Sequence, residues 1–433
     1  MISPSLFRQR RFLLFVGGSA GSWAAVYVQG SVSAFLLLTM SGDHSLFGWT
    51  ATIGSVAGWT DTGGDLLLLL LALPLGVLVD RVRRRSVLVA MSLLGAVLLA
   101  SVPVAAWLGA ATWPHVALVG MIIGMLQGTS IAHDAYLPAV VGRDRLLSAN
   151  AVLTVVPAIV VLGVMLVTVY LTDGSESSVL LVMAVVLALS AFLFRGIDAP
   201  EEPPGPRAGL WRELAEGVRF TLTHPVLRAI ALFLVLSPLF EEVVEEATSE
   251  TVHAALLSDR IDLGWTTLAG SVASLAVVLP VVLLHRRVGV FRMAWLAALV
   301  TPPFALLSAL ADTAWGAVWY AIGTVVPQAG WTVIAVALLS HRQAITPDRL
   351  LGRTGGTLLL LTGLTGFADE SLENFAELLL RGWGSPPVLA LGMAGMLAAA
   401  IPLLKVRHLA TSASPRATPD DKVIGSVGPD LET

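Results

Sequence analysis

No cysteine occurs in the chain. Disulfides, thiolate metal sites and thiol catalysis are therefore excluded. Charge is scarce too: Asp, Glu, Lys and Arg make up 13% of the 433 residues, against about 25% in soluble domains. Soluble enzymes, disordered chains and nucleic-acid binders do not share this composition. Lysine occurs only at Lys405 and Lys422, so the basic residues are nearly all arginine, which points to a GC-rich bacterial genome. No Gly-rich phosphate loop or H-E-x-x-H zinc pair supports an enzyme, and no cofactor is expected. What the chain has in plenty is apolar residues: 56% hydrophobic, with a mean hydropathy of +0.82. A spanning helix needs ~20 apolar residues, so an all-α polytopic membrane protein is the expected class.

Runs poor in charge fall at 12–40, 47–79, 86–108, 115–141, 146–172, 178–196, 226–257, 262–284, 290–311, 314–340, 350–380 and 386–404. They predict twelve transmembrane helices. The first run is too long for a signal peptide's apolar region and is read as a retained helix. Every Lys and Arg except Arg260 and Arg381 then falls on the side of the N-terminus. The positive-inside rule puts that side, and both termini, in the cytoplasm. A bacterial inner (plasma) membrane protein, expected to be a monomer, follows.

The longest link, 197–225, begins with Pro and Glu and continues with Leu210, Trp211, Leu214, Val218 and Phe220 at helical spacing, interleaved with Arg212, Glu213, Glu216 and Arg219. It predicts an amphipathic helix at the interface. Leu73 and Pro74 open an apolar-to-arginine stretch that Leu279 and Pro280 repeat. Asp144 and Arg145 are likewise echoed by Asp348 and Arg349. Two echoes at nearly one offset predict two pseudo-symmetric six-helix bundles, 1–196 and 226–406, joined by 197–225 and followed by a disordered tail, 407–433.

Gly76, Asp80, Arg81, Arg83, Arg84 and Arg85, in the order G-x-x-x-D-R-x-R-R-R, resemble the G-x-x-x-D-R-x-G-R-R signature of the major facilitator superfamily, with Arg83 in place of Gly. The stretches from Asp134 to Asn150 and from Thr346 to Arg353 look like its branch of macrolide and siderophore exporters. Helix 5 carries Pro157 without the Gly-rich element of many drug/proton antiporters. The resemblance implies alternating access, with Gly76, Asp80, Arg81, Arg84 and Arg85 as gating residues. It also implies that helices 1, 4, 7 and 10 line a cavity, to which Trp23, Tyr27, Gln127, Gln328 and Trp331 would contribute aromatic and amide groups.

Acidic residues inside the predicted spans are the strongest functional signal. Asp61 and Asp65 lie in helix 2; Glu241, Glu242, Glu245, Glu246 and Glu250 in helix 7; Asp369, Glu370, Glu373 and Glu377 in helix 11. Each ionised Asp at a helix centre costs about 2.5–3.5 kcal/mol, so they must face water, one another, protons or a cation. The first of each set lies about 22 Å from the cytoplasmic edge at ~1.5 Å per residue. The resemblance brings helices 2, 7 and 11 together, so the carboxylates are expected to converge and titrate as a coupled set. If a metal binds, Glu242, Glu246, Asp369 and Glu373 are its candidate ligands.

These readings point to a secondary transporter that exports a cationic or amphipathic small molecule, coupled to protons or another cation. Two alternatives stay open: a divalent metal exporter, and a non-transporting lipid-handling or structural membrane protein. The expected partners are the substrate, protons and the bilayer, with no nucleic acid.

Overall fold

The computed structural model describes residues 4–41, 66–170, 176–201, 209–256, 276–277, 288–311, 313, 315–366 and 368–412. Among the described residues the regular structure is entirely helical. In chain order the helices of more than ten residues are α1 (Arg10–Ser41), α2 (66–81), α3 (Arg84–Trp107), α4 (Pro114–Val141), α5 (Leu146–Tyr170), α6 (Glu176–Arg195), α7 (Leu210–Thr223), α8 (Pro225–Leu256), α9 (Val290–Leu310), α10 (Gly316–Ile345), α11 (Leu351–Gly366), α12 (Asp369–Trp383) and α13 (Ser385–Lys405). Helices satisfy their own backbone groups, which a bilayer requires. By length and composition six of the described helices can cross one: α3, α4, α9, α10, α13 and the Ser178–Arg195 part of α6.

Three of the described helices depart from regular geometry, among them α13, which is interrupted at Ala400. Helix α4 tightens to 3-10 geometry at Leu126–Gly128. Helix α9 does so over Pro302–Leu310, where Pro302 and Pro303 lack the N–H groups that would continue an α-helix.

The apolar faces assemble in two bundles. In the first, Phe12 and Phe15 of α1, Leu88 of α3, Tyr136 of α4 and Phe194 of α6 form one core near the arginine-rich end. Leu99, Ile123 and Leu180 form a second core farther along the same helices. In the other bundle, Phe233 of α8, Phe291 of α9, Ile334 of α10 and Leu403 of α13 pack together. The halves meet where Leu147 and Ala151 of α5 pack on Met293 and Val336, and where Leu351 of α11 enters the first core.

One predicted span needs correction. The run 350–380 is not one helix: α11 ends at Gly366 and α12 starts afresh at Asp369. Sixteen residues make α11, about 24 Å at 1.5 Å per residue, short of the ~30 Å hydrocarbon core. Helix α12 is amphipathic. Ala376 and Leu380 are buried against Val243 and Ala247 of α8 and Val388 and Leu389 of α13, while Glu373, Asn374, Glu377 and Arg381 face outward. Asp369, Glu370 and Glu373 sit in the first two turns, nearest the end where the helix dipole favours negative charge. Helix α8, by contrast, is continuous over 32 residues, about 48 Å, so its far end projects beyond the core.

Candidate functional site

The arginine-rich end of the two bundles closes on a seam of charge. Helices α2 and α11 cross there with their backbones in contact. A Cβ on Gly76 would stand 2.5 Å from the Gly352 carbonyl oxygen, so only glycine permits the approach. One turn on from Gly76, Asp80 reaches the start of α11. Its Oδ1 accepts a hydrogen bond from Gly352 N (2.8 Å) and its Oδ2 one from Arg353 N (3.0 Å). These N–H groups belong to the first turn of α11, which has no intrahelical acceptor for them and carries the positive end of the helix dipole. A carboxylate of one half thus caps a helix of the other. Arg84 and Arg353 flank it at 3.8 and 3.7 Å. Its side chain is 1% exposed, and burial pushes the carboxyl up, to about 6, against the pull of those donors and guanidinium groups.

The opposite end of the neighbouring helix is held by the opposite charge. Arg143, just after α4, donates to Gln343 O (3.2 Å), Ala344 O (2.5 Å) and Thr346 O (2.8 Å), and pairs with Asp348 at 3.1 Å. These are the carbonyls at the C-terminus of α10, where a cation is favoured. Arg84 donates to the Asp348 carbonyl. Deeper in, Arg342 pairs with Asp134 at 2.6 Å. Gln343 Nε2 donates to Asp134 O (2.9 Å), and Asn150 Nδ2 donates to Ser340 Oγ (2.9 Å) and Gln343 Oε1 (2.7 Å).

Of the expected gating residues, Gly76, Asp80, Arg81 and Arg84 lie in the seam. Arg85 does not: its guanidinium donates to Ile197 O (2.8 Å), within the first half. Glu201 accepts from Arg84 N (2.6 Å), which caps α3. Sequence reasoning took Arg143, Arg342 and Arg353 for topology signals and missed Asn150 and Gln343 as seam residues. The echo of Asp144 and Arg145 by Asp348 and Arg349 was the one available hint that both loops belong to a single device.

The acidic groups divide. Glu241 is half-buried and lines a cavity of about 20 Å³ with Phe233, Ser237, Thr301, Pro327 and Trp331, room for about one water. Trp331 stacks on Phe233 (centroids 6.2 Å apart, planes at 27°), so it packs within the second bundle. Glu242 is half-buried and Glu245 exposed. Glu246 lies within electrostatic reach of Glu373, Glu377, Glu250 and Glu245, so the acids of α8 and α12 do come together. They meet at the outer rim: Glu245, Glu250, Glu373 and Glu377 are exposed. Glu377 pairs with Arg381 at 2.9 Å, and Glu250 accepts from Ser385 Oγ at 3.1 Å.

Asp61 and Asp65 lie outside the described residues, as do the side chains of Tyr27, Gln127, His253, Asp369 and Glu370. Trp23 of α1 is half-buried and Gln328 of α10 exposed. Among the described residues, no three His, Asp or Glu side chains are placed to hold a metal ion.

A family model described as Major Facilitator Superfamily matches residues 12–368. The chain belongs to this superfamily. Its members are transporters, not enzymes, and the fold is the all-α, twelve-helix arrangement of two six-helix bundles. No curated protein matches. Among solved structures, a bacterial homologue of the iron transporter ferroportin in an outward-facing state is similar at TM-score 0.72 and 16% identity, over 92% of this chain and 99% of that one. The human organic anion transporter MFSD10 (TETRAN) is similar at TM-score 0.70 and 17% identity, over 91% and 99%. FucP in the outward conformation is similar at 0.65 and 12%, over 94% and 99%. At these identities the likeness is one of fold. The macrolide and siderophore branch finds no counterpart among these three neighbours.

Proposed function

We propose that this superfamily member is a secondary active transporter of a bacterial plasma membrane, working by alternating access and closed here on its cytoplasmic face. The observation that carries this reading is the seam. Opposite charges from the two halves hold the ends of α10 and α11 (Arg143 on one, Asp80 on the other), and the Asp134–Arg342 pair sits beneath them. Ionic groups that pair in the closed seam can be hydrated when it parts, so such contacts suit an interface that opens and re-forms. The arginines around it support a cytoplasmic position.

The cargo we propose is a cationic or amphipathic small molecule, exported in exchange for protons. Half-buried Glu241 and Glu242 and the rim of Glu245, Glu246 and Glu373 support that choice, because a line of carboxyl groups along the outer part of α8 can exchange protons or attract a cation. Proteoliposomes carrying the protein test it: an imposed proton gradient drives accumulation of a lipophilic cation such as ethidium, and Glu241→Gln abolishes it. Gradient-independent behaviour, or full transport by Glu241→Gln, contradicts the reading.

A further inference from the structure

Helix α7 lies between the halves in the chain and across them in space. Its buried stripe is Glu213, Gly217 and Thr221, at i, i+4 and i+8, while Trp211 on another face is 82% exposed. The stripe lies against the start of α11. A Cβ on Gly217 would stand 2.6 Å from the Arg353 Cβ, so glycine sets the closeness of that contact. Glu213 is 2% exposed and is held from both sides. Arg81 of the first half donates to it twice, from Nε and Nη2, each at 3.0 Å, and Arg353 of the second half donates at 2.9 Å. Glu216, by contrast, pairs with Arg349 (3.0 Å) and Arg353 (2.6 Å), both in the second half.

The connection makes this asymmetric arrangement consequential. Only His224 separates α7 from α8, so α7 is tied to the second half at its end and through Glu213 and Glu216 along its length. When the halves part, the Arg81–Glu213 fork is a contact of α7 that must break.

We infer that α7 is a clasp on the cytoplasmic gate: Glu213 is a positioning residue that locks Arg81 of the first half to the second and slows opening of the seam. This rests on the seam being that gate. A two-point, charge-assisted bond buried at such a place favours the closed state by roughly tenfold to a hundredfold. Breaking Glu216's bonds leaves both halves as they were.

The cysteine-free chain allows a direct test. Spin labels on Arg195→Cys and His408→Cys, both exposed, report the separation of the halves by pulsed electron resonance in nanodiscs. Glu213→Gln raises the open fraction about tenfold or more, Arg81→Gln does the same, the pair together adds nothing, and Glu216→Gln changes it less than threefold. Gly76→Leu, which wedges α2 from α11, is the separate test of the seam. If Gly76→Leu opens the face while Glu213→Gln and Arg81→Gln leave it closed, the clasp is wrong and the seam stands. If none of the three alters the distance, both are wrong.

Discussion

Asp134 and Arg342 lie 208 residues apart and pair at 2.6 Å. Each follows a histidine, His133 or His341, near the arginine-rich end of the fourth helix of its own half, α4 or α10. Near-equivalent places in a duplicated fold thus carry opposite charges and meet each other across the pseudo-symmetric interface. A symmetric pair of acids or of arginines there would repel; divergence of the two repeats produced an attraction.

That pairing predicts a charge-swap rescue. Asp134→Arg and Arg342→Asp each impair transport, and the double exchange recovers part of it. The coupling between them falls at roughly 0.5–3 kcal/mol, the range for contacting groups. Initial uptake rates in proteoliposomes for the four proteins measure it.

The α2–α11 crossing predicts a steric sensitivity at Gly76. Gly76→Ala places a methyl 2.5 Å from the Gly352 carbonyl, and overpacking of this kind costs about 1–3 kcal/mol. The closed state bears the cost, so the open fraction rises while thermal stability in detergent falls. Labels on the cytoplasmic face and a melting curve report the two effects separately.

Asp80 predicts a pH dependence. Its carboxyl titrates near about 6 when buried in the seam, against an ordinary 3.8 in water. The closed state therefore binds the proton more tightly than a hydrated, open one. Linkage makes the contribution to closure fully present below about pH 4, lost as pH rises through about 6, and flat above that. Arg84, Arg353, Arg81 and Glu213 surround the site. The open fraction measured from pH 4 to 8 rises accordingly, and Asp80→Asn removes the rise.

The rim acids predict a salt-sensitive effect. Glu373 is exposed, so its field is screened over about 8–10 Å at physiological salt. Glu373→Gln weakens uptake of a cation severalfold at low ionic strength and little at high. Glu241→Gln, in its one-water cavity, loses transport at both. Uptake measured at two salt concentrations distinguishes the rim from the interior.

Much of the architecture was legible in the sequence because a bilayer enforces it. Arginine placement alternates with the spans, and the signature singled out Gly76 and Asp80, though not the helix crossing and the helix cap they make. The break at Gly366 was harder to read. An apolar run followed by acids has the same pattern whether the helix continues or restarts, and the amphipathic face of α12 emerges only against Val243 and Ala247 of α8. Long-range pairs were not legible at all. Nothing local tells Arg143 that its partners are the carbonyls of α10, or Glu213 that it lies between Arg81 and Arg353. The reading of Glu241 through Glu373 as one converging set mixed a half-buried group with solvated ones, since spacing reveals a helix face but not its depth.

The most direct test of the account is to tether the seam. Arg143→Cys and Asp348→Cys, whose native side chains meet at 3.1 Å, are joined by a short cleavable thiol crosslinker in proteoliposomes, in a chain with no other cysteine. Alternating access through this face predicts that tethered protein does not transport and that cleavage restores the rate of the untreated double variant. Undiminished transport by the tethered protein would contradict it.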